Sequence, residues 1–86
     1  MTVRMWEVRA AGEREADALV GWLFEVGIPA VERQSGYQRA EVFRAAESRV
    51  VALTWWTGEA GELLEPPSEL LARPPHAWDF ESVGGR

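Results

Sequence analysis

The sequence of 86 residues contains no cysteine, no lysine and no asparagine. The absence of cysteine excludes disulfides, a thiolate nucleophile and every metal site that uses sulfur ligands. No apolar run approaches ~18 residues, and the N-terminus lacks a basic stretch followed by an apolar one, so neither a membrane span nor a signal peptide is expected. These absences predict a cytoplasmic protein with no membrane partner.

Positive charge is scarce and scattered along the chain. The nine basic side chains are all arginine, fourteen side chains are acidic, and the formal net charge is −5. A nucleic-acid-binding surface needs clustered positive charge, so we expect no nucleic-acid partner. Arg39, Arg44 and Arg49 are expected to pair with Glu41 or Glu47 on neighbouring strands. The alternative is that an inward-facing one of them stabilises an enolate or a carboxylate.

Large apolar side chains, in contrast, are abundant for so short a chain. Hydrophobic residues make up 47% of the sequence, and five residues are tryptophan. Surface-area scaling gives about 5,100 Å² for a folded chain of this mass, so that only about 63% of the chain's surface is buried in a monomer. One marginal core is therefore expected, with further apolar surface covered by a partner or a ligand.

Alternating apolar and polar residues predict four strands. They are expected at 3–10, 37–45, 49–57 and 76–83, with the hairpin connection at 46–48. The third strand is apolar on both faces, with Val50, Ala52, Thr54 and Trp56 on one and Val51, Leu53 and Trp55 on the other. Such a strand is expected to be central and covered on both sides.

Two helices are predicted between these strands. An apolar stripe predicts a helix over 13–26 that ends at Gly27, followed by a short restart at Pro29 that Gly36 closes. Ser68 is expected to cap a second helix over 68–73, before Pro74 ends it. Residues 1–83 are thus expected to form a single domain, and 84–86 a disordered C-terminal tail.

The order β-α-β-β-α-β predicts a ferredoxin-like α+β fold, in which a four-stranded antiparallel sheet carries helices on one face. The first and third strands are central in that topology. The helices cover one face, and we expect the sheet of a second subunit to cover the other, as a dimeric barrel. The alternative is a monomer whose open face is poorly polar.

The stretch from Val3 to Trp56 resembles the antibiotic-biosynthesis-monooxygenase-like group of the dimeric α+β barrel superfamily. The resemblance rests on a strand, an amphipathic helix, the pair Gly36 and Tyr37 that opens a strand, and VVALTWW at 50–56. It implies a homodimer with a cavity in each subunit between sheet and helices. Cofactor-free oxygenases and haem-degrading members of the group use an Asn on the first strand, and its approximate counterpart here is Met5.

The resemblance also implies a site residue, because members of the group carry a Trp that lines the cavity at the position of Trp56. His76 is the single histidine, and imidazole ordinarily titrates near neutral pH, so His76 is the candidate general acid or base. The other candidate substrate-binding residues are aromatic: Trp6, Trp22, Phe24 and Trp78. Packing in the core or in an interface is the competing interpretation for each aromatic residue, and an exposed turn position is the competing one for His76.

The resulting hypothesis is a cofactor-independent monooxygenase-like enzyme that acts on an aromatic small molecule. In it, Trp56 positions the substrate and His76 assists proton transfer. Two non-catalytic alternatives stay open, a dimer that binds a small aromatic ligand and a structural accessory dimer. No cofactor and no metal are expected, because haem or metal ligation would rest on His76 alone.

Overall fold

Four antiparallel strands form one sheet in the order β2-β3-β1-β4. The computed structural model describes residues 1–86. The strands are β1 Thr2–Arg9, β2 Tyr37–Ala45, β3 Arg49–Trp56 and β4 His76–Glu81. β1 and β3 are central, as the ferredoxin-like topology predicts, and all four predicted strands are confirmed to within two residues at each end.

One helical segment covers a single face of the sheet. It consists of α1 (Glu13–Trp22), a π-helical turn (Leu23–Gly27) and α2 (Ile28–Glu32). The prediction that Gly27 ends the helix is wrong, because its φ of −65° is right-handed and the backbone stays helical beyond it. None of the helices combines the length and the hydrophobicity that a membrane span requires.

The π-helical turn explains how the helix passes Pro29 without breaking. The Ile28 N–H donates to the carbonyl of Leu23, five residues back instead of four. A proline has no N–H to donate, and its ring crowds the carbonyl four residues before it. The wider π turn directly before Pro29 loosens the ladder at that point, so the chain continues into α2.

The predicted helix over 68–73 is reduced to a single 3₁₀ turn, Ser68–Leu70. The chain beyond it is extended, because Leu71 forms a β-bridge with Ala10 and the Ala72 N–H donates to the carbonyl of Arg9 at 2.9 Å. Pairing with the end of β1 therefore outcompetes the helix in this segment. The fold is α+β, with a four-stranded antiparallel sheet and one helical layer.

The core lies between the helical segment and the even-numbered residues of β1 and β3. Its largest fully buried side chains are Trp56, Leu19, Leu23, Val8, Val31 and Val50. The strand register places Val8 opposite Val50 and Trp6 opposite Ala52. Trp56 thus faces the helical side and Trp55 the other.

The opposite face of the sheet, which we call the open face, has no layer over it. Across the strands it carries Phe43 on β2, Val51, Leu53 and Trp55 on β3, Val3 and Met5 on β1, and Trp78 and Phe80 on β4. Trp78 and Phe80 are 46% and 51% exposed. The accessible surface is 5483 Å², more than the roughly 5,100 Å² expected of a compact monomer of this mass.

The turns on both sides of β2 use left-handed backbone. Gly36 has a φ of +87°, and a Cβ there would lie 2.5 Å from the carbonyl oxygen of Thr57. The β2–β3 turn has Glu47 at φ 63° and Ser48 at φ 59°, without a glycine or an asparagine. Side chains hold this turn, since Arg9 Nη2 donates to Glu47 Oε1 at 2.8 Å and the Ser48 hydroxyl donates to the carboxylate of Glu13.

The predicted pairing of the sheet arginines with Glu41 or Glu47 is only partly correct. Arg39 does pair with Glu41, at 2.8 Å, although both lie on β2. Arg44 instead reaches the helix and contacts the carboxylates of Glu13 and Asp17. Arg44 is therefore an anchor between β2 and α1.

Candidate functional site

A cavity of about 220 Å³ is lined by β1, by the loop residues 62–66 and by residues 74–77, which include the start of β4. Arg4 and Trp6 line it from β1, and His76 lines it from the start of β4. The Trp6 side chain is only 7% exposed, so its ring is held in the core while part of it meets the cavity. We call this space the Trp6 cavity.

The start of β4 brings His76 to the cavity. Pro74 and Pro75 favour extended chain just before β4, and the register then pairs Ala77 with Trp6 and His76 with Glu7. The imidazole stacks on Trp78 with ring centroids 6.0 Å apart and planes at 23°. The register and this stacking place the His76 side chain on the open face beside Trp78, so His76 borders the cavity at the sheet edge, whereas Trp6 lies on the helical face.

Residues 58–67, which we call the strap, close the far side of the cavity. Arg4 Nη1 donates to the Gly61 carbonyl at 3.0 Å. The Gln34 amide makes two hydrogen bonds to the backbone of Glu62, to its carbonyl at 2.7 Å and from its N–H at 3.0 Å. The strap is therefore fixed both to the sheet and to the end of the helical segment.

Arg4 also forms a bidentate ion pair in this region. Its guanidinium donates to both carboxylate oxygens of Asp79, from Nε at 2.7 Å and from Nη2 at 2.9 Å. This hydrogen bonding lowers the pKa of Asp79 and raises the pKa of Arg4. A more open cleft of about 440 Å³ next to the Trp6 cavity shares Arg4 and Glu62 with it.

Trp56 is packed beneath the strap. It is fully buried, its indole N–H donates to Thr54 Oγ1 at 2.7 Å, and Tyr37 meets it edge to face at 5.8 Å. A Cβ at Gly61 would lie 2.7 Å from the Trp56 ring, so the strap backbone passes directly over the indole. Trp56 lines none of the four cavities of the molecule.

Of the predicted site residues, Trp6 and His76 line a common cavity, with side chains on opposite faces of the sheet, and the others lie apart. Trp22 is partly buried beside Gly27, Phe24 is 59% exposed on the helix, and Trp78 lies on the open face. None of these three lines a cavity. The binding and catalytic roles assigned from the sequence stay predictions.

Arg4, Gln34 and Gly61, which hold the strap, are not among the site residues predicted from the sequence. One signal was available, because Arg4 lies on the same face of β1 as the buried Trp6 and Val8, and an inward charge needs a partner. On β4, Asp79 lies on the same face of the sheet as Arg4, opposite to the face that carries Trp78 and Phe80. No group of three or more His, Asp or Glu side chains is placed to hold a metal ion.

A solved structure shares this arrangement of strands and helix. The crystal structure of a monooxygenase from the gene ActVA-Orf6 of Streptomyces coelicolor, in complex with the ligand nanaomycin D, matches with a TM-score of 0.76. The match covers 99% of this chain and 89% of that chain, at 14% sequence identity. The chain has an antibiotic-biosynthesis-monooxygenase-like fold.

This monooxygenase-like fold confirms the resemblance found in the sequence. The coverage shows that it extends beyond Val3–Trp56 to the strap and β4. No protein-family model matches the sequence. No curated protein matches it significantly.

Proposed function

We propose that this protein is a homodimeric, cofactor-independent monooxygenase-like enzyme that oxidises a small aromatic molecule in the Trp6 cavity. The observation that carries the proposal is the presence of Trp6 and His76 on the walls of one cavity, in a monooxygenase-like fold. An indole wall favours a flat aromatic ligand, and an imidazole supplies proton transfer.

The size of the cavity limits the ligand. Its volume of about 220 Å³ is below the ~300–1,000 Å³ of most ligand pockets. A ligand of one or two fused rings is therefore the better fit, with larger ligands extending into the neighbouring cleft past Arg4. Nanaomycin D, which the ActVA-Orf6 monooxygenase binds, is a useful larger probe.

The chemistry proposed needs no bound cofactor, because the substrate supplies all four electrons that reduce O₂. A phenol with a free para position and O₂ yield a para-quinone and water. One oxygen atom becomes the second quinone oxygen and the other leaves as water with two hydrogens of the substrate, so the phenol loses four electrons and O₂ gains four. His76 would take the phenolic proton, since the phenolate is the electron-rich form that reacts with O₂.

The open face supports the homodimer. Its apolar residues include Leu53 at the centre and Trp55, over which the Arg39 guanidinium lies 4.2 Å from the ring centroid. Contiguous apolar surface of this kind is rare on monomers. A second copy presents the same apolar face, so a two-fold pairing of sheets would cover both at once.

One observation favours a second candidate function, a dimer that binds an aromatic ligand without reaction. Met5, the counterpart of the first-strand Asn of the group, lies on the open face and does not line the Trp6 cavity. The cavity therefore has no side-chain amide from this strand to orient an oxygen intermediate. In this case Trp6 binds the ligand and His76 has no chemical role.

Binding and oxygen uptake separate the two candidates. We would titrate 1-naphthol and nanaomycin D into the protein by calorimetry, and follow dissolved O₂ with an electrode. We expect saturable binding that Trp6→Phe weakens and that the control Trp22→Phe, away from the cavity, leaves unchanged. Oxygen uptake that His76→Ala abolishes supports the enzyme.

Binding without oxygen uptake for either compound contradicts the enzyme and supports the binding dimer. The absence of any binding contradicts both and leaves the structural accessory dimer. Light scattering checks the assembly in the same samples. A mass of one chain, 9.6 kDa, at micromolar concentration would refute the homodimer.

A further inference from the structure

A second polar cavity, of about 160 Å³, lies at the end of the sheet near the β2–β3 turn. Three arginines line it, Arg9 on β1, Arg49 on β3 and Arg73 in the segment before β4, together with His76 and Glu7. It shares only Pro74 and His76 with the Trp6 cavity. We call it the arginine cavity.

Arg9 and Arg49 are directly opposite each other in the β1–β3 register. Like charges in this position repel, so each needs compensation. Glu47 accepts from Arg9 Nη2 at 2.8 Å, and Glu7 accepts from Arg49 Nη1 at 3.3 Å. These bonds leave Nε and Nη1 of Arg9, and Nη2 of Arg49, without an acceptor in the chain.

Arg73 adds a third guanidinium with no partner. The bond from the Ala72 N–H to the Arg9 carbonyl, at 2.9 Å, holds this segment beside the end of β1. Arg73 is exposed and pairs with no carboxylate, whereas Arg4, Arg9, Arg39, Arg44 and Arg49 all do. Three guanidinium groups thus meet two carboxylates, which leaves local positive charge in a chain of net charge −5.

We propose that the arginine cavity binds a tetrahedral oxyanion, a phosphate or a sulfate. Guanidinium groups match such anions because they present pairs of parallel N–H donors. The vacant donors belong to different strands, so one anion between them would also relieve the repulsion of Arg9 and Arg49. The small volume fits a single oxyanion group, either free or at the end of a larger molecule.

The test uses NMR of the arginine Nε–Hε groups during titration with sodium phosphate, at constant ionic strength set by sodium chloride. We expect saturable shifts at Arg9, Arg49 and Arg73, and an apparent affinity that Arg73→Gln weakens about tenfold, as for the loss of one charged hydrogen bond. The matched control is Arg14→Gln, which removes the same charge from an exposed residue of α1 without an ion pair.

Shifts that do not saturate, or an equal loss of affinity in Arg73→Gln and Arg14→Gln, would overturn the proposal. Phenyl phosphate, titrated in parallel, separates the two sources of the anion. Binding equal to that of inorganic phosphate assigns a free anion, and tighter binding assigns the anionic group of an aromatic molecule. The readout is independent of oxygen uptake, so the site stands or fails separately from the proposed enzyme.

Discussion

Arg4 and Asp79 face each other across β1 and β4 and form a two-pronged ion pair, with N–O distances of 2.7 and 2.9 Å. The same guanidinium holds the strap through the carbonyl of Gly61. One side chain therefore ties together an edge strand, a central strand and the loop that closes the Trp6 cavity.

The Arg4–Asp79 pair predicts a pH dependence of stability. The pKa of Asp79 is lowered in the folded chain, so its contribution is complete above the unfolded pKa of about 3.9 and is lost as the pH falls through the lower folded value. Because the Asp79 side chain is 46% exposed, we expect Asp79→Asn to cost at most about 1 kcal/mol at pH 7.

Urea unfolding at pH 7 and at pH 2 measures this difference, which we expect to shrink at the lower pH. Glu81→Gln is the control, since Glu81 lies on the same strand without an ion pair. An equal loss in the two variants would show that the ion pair contributes nothing of its own.

Gly61 is a position where one methyl group should disrupt the strap. A Cβ there would overlap the Gln34 side-chain oxygen and lie 2.7 Å from the Trp56 ring. We expect Gly61→Ala to cost about 1–3 kcal/mol in the free energy of unfolding, and to change the near-UV circular dichroism of tryptophan.

Gly21→Ala is the matched control for Gly61→Ala. Gly21 lies in α1, with no atom within 4 Å of an added Cβ. Alanine is the better helix former, so a gain of about 0.5–1 kcal/mol is expected. A loss at Gly21, or no loss at Gly61, would contradict the packing described.

The buried position of Trp56 predicts a mainly structural effect of its substitution. Trp56→Phe removes the indole N–H that bonds Thr54 and leaves a gap under Gly61. We expect a loss of about 2 kcal/mol in thermal or urea unfolding, against less than about 1 kcal/mol for the partly buried Trp22→Phe. Unchanged stability in Trp56→Phe would instead favour the role in substrate positioning.

The proposed dimer predicts that a charged side chain at position 53 prevents dimerisation. Leu53 lies between Met5 and Glu41 on the open face, so Leu53→Glu would place a charge inside an apolar interface. We expect light scattering to give the mass of one chain for Leu53→Glu and of two chains for Ala18→Glu, where the same charge is added to an exposed position of α1. A dimer that survives Leu53→Glu would use another surface.

The central strands β1 and β3 were predictable because their residues alternate between the buried helical face and the open face, and neighbouring residues carry that pattern. β4 is exposed along its whole length and was predictable from alternating residue types alone. The helix over 68–73 was not, because its backbone has a competing partner in Ala10, about sixty residues away in the chain. The Trp6 cavity was visible only in part for the same reason. It depends on the strap, and the strap depends on polar contacts such as Gln34 with Glu62, which leave no periodic pattern in a sequence.

The π-helical turn at Leu23–Gly27 is the place where the helical segment can lose one residue without a change in its packing. A π turn holds one residue more than the α turn that it replaces, while the helix on either side keeps its orientation. Deletion of the exposed Val26 would return this turn to ordinary α-helical bonding and leave Leu19 and Val31 facing the sheet. The helix can therefore lose a residue here without moving its core face, whereas a deletion inside α1 would rotate every apolar residue before it away from the sheet.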